Sequence, residues 1–131
     1  MAISANKQVI GSPNAPKAVG PYSAGIQTDA YIFLSGQLGL EPQSGSLVEG
    51  GVEAQTKQAL TNLQSILQSN NLTMEHVVKT TVFLKDMNDF AKMNAVYAEF
   101  FKSDPPARST IQVAALPKGG LVEIEAIALT A

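Results

Sequence analysis

The residue pattern predicts an α+β architecture, two helices on one face of a six-stranded sheet, on three observations. Apolar residues recur with helical period in two segments only, 52–69 and 90–101. Shorter strand-like runs surround them, giving the order β-β-β-α-β-α-β-β. Three of those runs, 31–38, 77–84 and 121–129, carry apolar residues on both faces, which two helices on one side cannot cover. The second face is therefore expected to pack against another subunit, closing a barrel-like core in a symmetric oligomer.

Residues 1–10 are weakly patterned and are expected to give a first edge strand, followed by an ordered loop, SPNAPKAVGP, rich in proline and small residues. A short strand is expected over 22–27, a turn at Thr28-Asp29, and a strand over 31–38 that is apolar on both sides at 31–34 and therefore reads as covered on both. Residues 41–51 read as a surface loop. In the first helix Val52, Ala59, Leu60, Leu63, Ile66 and Leu67 form one apolar face, with Glu53, Lys57 and Gln64 off it. Asn70-Asn71 ends that helix, and Thr73 is placed to cap a short turn through His76. The run VVKTTVFL at 77–84 is a β-branched strand. Asp86 to Asp89 supplies caps for the second helix, whose Phe90, Met93, Tyr97, Phe100 and Phe101 recur at helical spacing until Asp104-Pro105-Pro106 stops it. Two final strands flank the turn Leu116-Pro117-Lys118-Gly119-Gly120 and are expected to pair as an antiparallel hairpin.

At 131 residues the chain is expected to form one domain, 1–131, with 45% hydrophobic and 15% charged residues, a composition that excludes intrinsic disorder. No apolar run approaches a membrane span, and the N-terminus lacks the basic-then-apolar order of a secretory signal, so the expected compartment is cytoplasmic. With no cysteine and one histidine, zinc, iron–sulfur and thiol chemistry are excluded, and a Ser-His relay would depend on His76 alone. No metal site is expected. A net charge of −2 and the absence of tryptophan give neither the basic footprint nor the stacking platform of a nucleic-acid binder.

The chain holds eight lysines and a single arginine, Arg108, stiffened by Pro105-Pro106 at the start of a strand. Guanidinium grips a carboxylate through two parallel hydrogen bonds, which lysine cannot do. Alternation sets Arg108, Thr110 and Gln112 on one side of their strand, and Glu123 and Glu125 share a side of the next. If the two strands are neighbours, Arg108 either pairs with one of those glutamates or takes a ligand carboxylate. Glu123 becomes a proton relay if burial raises its pKa, and Glu125 fits the same spacing. Ser35-Gly36-Gln37 ends an apolar strand, either as a bulge or as a place where a ligand approaches backbone amides. Tyr22 follows Gly-Pro, where its hydroxyl either lines a pocket or is satisfied in the core. Asn94 interrupts the apolar stripe of the second helix. His76 reads as a surface residue.

These residues fall within a wider set. Gly20-Pro21-Tyr22-Ser23, Ser35-Gly36-Gln37, the run VKTTVFLKD at 78–86, Asn88-Asp89-Phe90, Pro106-Ala107-Arg108-Ser109, Leu116-Pro117 and VEIEA at 122–126 together make the chain resemble the RidA family, also known as the YjgF/YER057c/UK114 family. The resemblance extends from end to end. It implies a chorismate-mutase-like α+β fold (bacillary type) with a six-stranded mixed sheet, a homotrimer with clefts between subunits, and cofactor-independent hydrolysis of enamine and imine intermediates. Such compounds, typified by 2-aminoacrylate, would yield 2-keto acids and ammonia. By the same resemblance, Arg108 is the carboxylate-gripping arginine and Glu123 the water-positioning glutamate. Tyr22, Ser35, Gly36 and Asn94 take pocket roles. Many members carry cysteine two residues after the arginine. Thr110 stands there in this chain, which removes any role for a thiol and leaves a hydroxyl or the backbone at that position to contact substrate. The alternatives are a non-enzymatic binder of 2-keto acids and, less favoured by the acidic charge, an endoribonuclease.

Overall fold

The computed structural model describes residues 6–131, and the part of the expected first strand at 1–5 lies outside them. Six strands form one sheet: β1 (Gln8–Ile10), β2 (Gly25–Gln27), β3 (Tyr31–Leu38), β4 (Val77–Leu84), β5 (Ala107–Gln112) and β6 (Val122–Leu129). Two α-helices, α1 (Gly51–Gln68) and α2 (Phe90–Phe100), follow β3 and β4 respectively. The expected element order holds, with two shifts. β2 is shorter than 22–27 because Tyr22 lies in a tight turn, its amide donating 2.8 Å to the Gly20 carbonyl. The loop at 41–51 is pinned by an isolated bridge between Leu40 and Leu47.

The sheet order is β1-β2-β3-β6-β4-β5. β6 lies between β3 and β4, antiparallel to both, while β5 runs parallel to β4. This overturns the expected hairpin between β5 and β6: β4 separates them. The physical reason is the crossover, since a parallel neighbour for β4 needs a connection long enough to reverse direction, and α2 supplies it. The long apolar β6, buried along Val122, Ile124, Ala126 and Ala128, takes a central position, and the short polar β5 takes the edge.

Both helices pack on one face. The buried residues of α1 include all six of its expected apolar positions, and these join Ile32, Leu34, Val82, Leu84, Ile124 and Met93 in one core. Asn71, at φ 64°, makes the left-handed turn that ends α1, a conformation asparagine tolerates. Thr73 caps the next turn as expected, accepting from the Glu75 amide, with His76 completing a capping box instead of lying free on the surface.

Among the described residues no helix lies on the opposite face. Phe33 remains 45% exposed and Ile111 46%, with Tyr31 and Leu129 also open, so the described residues of the chain cover 31–34 on one side only.

One polar residue in the core fixes how α1 meets the sheet. Asn62 is fully buried, donates Nδ2 to the carbonyls of Leu38 (3.2 Å) and Leu40 (3.0 Å), and accepts from Gln58 Nε2 at 2.8 Å. Those carbonyls lie where β3 leaves the sheet, and Asn62 satisfies both. Asn62→Ala should lower unfolding stability by about 2–4 kcal/mol, from two stranded acceptors and a small cavity, read as a lower urea midpoint at unchanged cooperativity.

Candidate functional site

The expected site residues gather in two separate clusters. The first lines an open cleft of about 630 Å³ bounded by Tyr22, Ser35, Gly36, Leu38, Lys118 and Glu123, among others. Its floor is an irregularity in β3. Pairing to β6 shifts register between Leu34 and Gln37, so Ser35 and Gly36 form a bulge, one of the two alternatives the sequence left open. The Ser35 hydroxyl donates 2.6 Å to the Ser23 carbonyl and its amide donates 2.9 Å to the Ala24 carbonyl. Ser35 thereby ties the Gly20–Ser23 turn, and with it Tyr22, to the rim of the cleft.

Glu123 stands on β6 opposite Leu38 and Phe83, on the helix-free face. Its carboxylate lies directly against Gly36. A β-carbon added to Gly36 would meet the Glu123 carboxylate oxygen and sit 2.8 Å from its Cδ, so only glycine leaves room for the acid. Partial burial raises the Glu123 pKa above its ordinary 4.5, and the Glu125 carboxylate on the same face raises it further. A proton-accepting group with this elevated pKa, in a cleft large enough for a small metabolite, suits general acid–base work.

The second cluster is built by α2 and β5. Arg108 pairs in register with Thr80, and Thr110 with Val82, which sets both on the helix-covered face at the sheet edge. The guanidinium donates from Nη1 to Asn94 Oδ1 at 2.8 Å and lies over two aromatic rings, 4.7 Å from the centroid of Tyr97 and 5.5 Å from that of Phe90. Neither Glu123 nor Glu125 is its partner. They point to the other face with β4 in between, which removes the Arg–Glu pairing considered from the sequence. The Tyr97 hydroxyl shares a 2.6 Å hydrogen bond with Thr80 Oγ1. Burial pushes its pKa above 10.0, against the lowering effects of Thr80 and the Arg108 charge, so it stays protonated. The Thr110 hydroxyl oxygen is buried without a hydrogen-bond partner among the described residues.

Within one chain, then, Tyr22, Ser35, Gly36 and Glu123 come together, and Arg108, Asn94 and Thr110 come together elsewhere. Phe90 and Tyr97, the aromatic floor under Arg108, were legible only as two positions of an apolar helical stripe. A tyrosine and an asparagine three residues apart, one helical turn, are the signal that marks that surface. Among the described residues no group of three or more acidic or histidine side chains is arranged to hold a metal, and no helix is long and apolar enough to cross a membrane.

Residues 12–130 match the family model described as Endoribonuclease L-PSP. The chain is 53% identical over 123 residues to the bovine 2-iminobutanoate/2-iminopropanoate deaminase, covering 94% of this chain and 90% of that protein. Its fold is similar to the Escherichia coli YjgF gene product, with a TM-score of 0.88 at 44% identity, covering 93% of this chain and 98% of that one. It is equally similar to E. coli TdcF solved with bound serine, with a TM-score of 0.89 at 40% identity, covering 94% and 98%.

The seat of Glu123 on Gly36 is open to test. Gly36→Ala should displace only the flexible end of Glu123, so the melting temperature should change by no more than a few degrees, of order 1 kcal/mol. The carboxylate should move toward solvent, and its pKa, followed by NMR titration, should fall back toward the ordinary value.

Proposed function

This chain belongs to the RidA/YjgF/L-PSP family, and on that premise we propose that it hydrolyses small 2-imino acids, such as 2-iminopropanoate and 2-iminobutanoate, to 2-keto acids and ammonia. The 53% identity to a deaminase over nearly the whole chain supports the reaction. The observation that carries the site is the carboxylate of raised pKa seated on Gly36 in an open cleft. The net charge of −2 disfavours RNA as a substrate.

Each proposed step needs only groups this chain has. Arg108 pairs with the substrate carboxylate and fixes its plane. Protonation of an enamine at carbon yields the imine, whose C=N carbon is electrophilic. Glu123 orients a water and accepts one of its protons as the oxygen adds to that carbon. That proton passes to nitrogen, giving the tetrahedral carbinolamine; Glu123 then takes the carbinolamine hydroxyl proton and returns it to the amine, so that ammonia leaves as the C=O of the keto acid forms. Orientation and proton transfer are effects of large known magnitude and need no further group.

Arg108 and Glu123 lie on opposite faces of one chain, so a site using both is composite. The exposed Phe33, Tyr31, Ile111 and Leu129 form the surface on which a neighbouring copy would sit, bringing its β5–α2 edge toward the Glu123 cleft. The proposed assembly is a closed homotrimer with a barrel-like centre and three such sites.

Arg108→Ala and Glu123→Gln should each lose at least about a hundred-fold in kcat/KM, measured on imine generated in situ. Co-refolding the two inactive variants in equal amounts should restore about one quarter of native activity, because about one site in four then draws its arginine and its glutamate from intact copies. No recovery on mixing would place both groups in one chain's site and refute the composite arrangement. Keto-acid binding by native protein with no turnover would replace the enzyme with a binder. In the native enzyme kcat should fall as the pH drops through the raised Glu123 pKa, with the midpoint above 4.5, since only the ionised carboxylate accepts the water's proton.

A further inference from the structure

We propose that Tyr97, anchored by Thr80, is the positioning residue that holds the Arg108 guanidinium ready for a ligand carboxylate. The inference rests on the reading of Arg108 given above and assigns a role to a side chain that acts through that arginine.

Of the two rings beneath the guanidinium, Tyr97 is the nearer, at 4.7 Å, and is only 5% exposed, whereas Phe90 is 5.5 Å away and 37% exposed. A cation held against a ring face is bound more strongly where water is excluded, so Tyr97 is the stronger contact. The ring is restrained from two sides. Its hydroxyl is tied to Thr80 Oγ1 at 2.6 Å, and its other surroundings include the Phe101 ring, 4.7 Å between centroids. Thr80 is itself buried and is the residue of β4 paired in register with Arg108. One strand pair therefore positions both the cation and the anchor of the ring beneath it.

Asn94 takes one N–H of Nη1. A guanidinium resting on a ring keeps its N–H donors directed around its rim, where a planar carboxylate can meet two of them. A long flexible side chain fixed in advance loses less freedom on binding, which appears as affinity rather than as a faster chemical step. Loss of this platform should therefore raise KM and leave kcat nearly unchanged.

The test compares three replacements of Tyr97, namely phenylalanine, pentafluorophenylalanine and leucine, in the intact protein. The probes are 2-oxobutanoate binding by calorimetry and steady-state hydrolysis of imine. Tyr97→Phe loses the tie to Thr80 but keeps the ring face and its packing against Phe101, and should bind within about three-fold of native. The fluorinated ring keeps its shape but reverses the charge on its face, and should weaken binding and raise KM about ten-fold relative to Tyr97→Phe, with kcat within about two-fold. Tyr97→Leu should match the fluorinated variant. Equal binding by the fluorinated and phenylalanine variants, or a fall in kcat at constant KM, overturns the proposal. The fluorinated pair still decides should Tyr97→Leu fail to fold. Arg108→Ala separates the two readings. If it binds 2-oxobutanoate as native protein does, the carboxylate site itself is wrong. If it abolishes binding while the ring variants change nothing, only the role of Tyr97 falls.

Discussion

Two helices packed side by side can cover a six-stranded sheet on one face only, and most features of this molecule follow from that restriction. The covered face is apolar along β3, β6 and β4 and receives the stripes of α1 and α2. The uncovered face keeps Tyr31, Phe33, Ile111 and Leu129 in the open, together with the half-buried Glu123 and the exposed Glu125. That surface is apolar with carboxylates among it, and neither helix covers it. The same restriction separates the two chemically distinctive side chains. Arg108 is drawn onto the helix side by its pairing with Thr80, and Glu123 is left on the other.

The polar residues inside the core serve the cleft. Asn62 holds the carbonyls of Leu38 and Leu40, and Gln55 Oε1 accepts from the Leu121 amide at 2.8 Å. These contacts pin the end of β3 and the start of β6, the two segments that flank Glu123. At Gly39 a β-carbon would lie 2.6 Å from Gln55 Cα, so α1 is pressed against the strand end as closely as a backbone allows. The cleft wall is thus made by the rigid part of the fold, and the pKa of Glu123 depends on it, because partial burial is what raises it. On the α2 side a ring, an amide and a hydroxyl restrain the one arginine in a comparable way. Each half of the proposed site is ordered before any ligand arrives.

The sequence by itself determined the elements. Hydrophobic period marked both helices and nearly every strand, because burial of a stripe or an alternating face is a local property of spacing. It singled out Arg108 by rarity and Ser35-Gly36 by the glycine at a strand end, and the resemblance of the whole chain assigned them roles. Strand order was decided only in three dimensions. Adjacency of β5 and β6 in sequence suggested a hairpin, yet α2 returns the chain parallel to β4, and the apolar β6 finds more to bury against between β3 and β4 than at an edge. The tertiary structure likewise decided that Arg108 and Glu123 face opposite ways and that Tyr97 supports the guanidinium. Spacing fixes which side chains share a face of one strand, but which strands become neighbours depends on how much apolar surface each arrangement removes from water, a quantity summed over the whole chain.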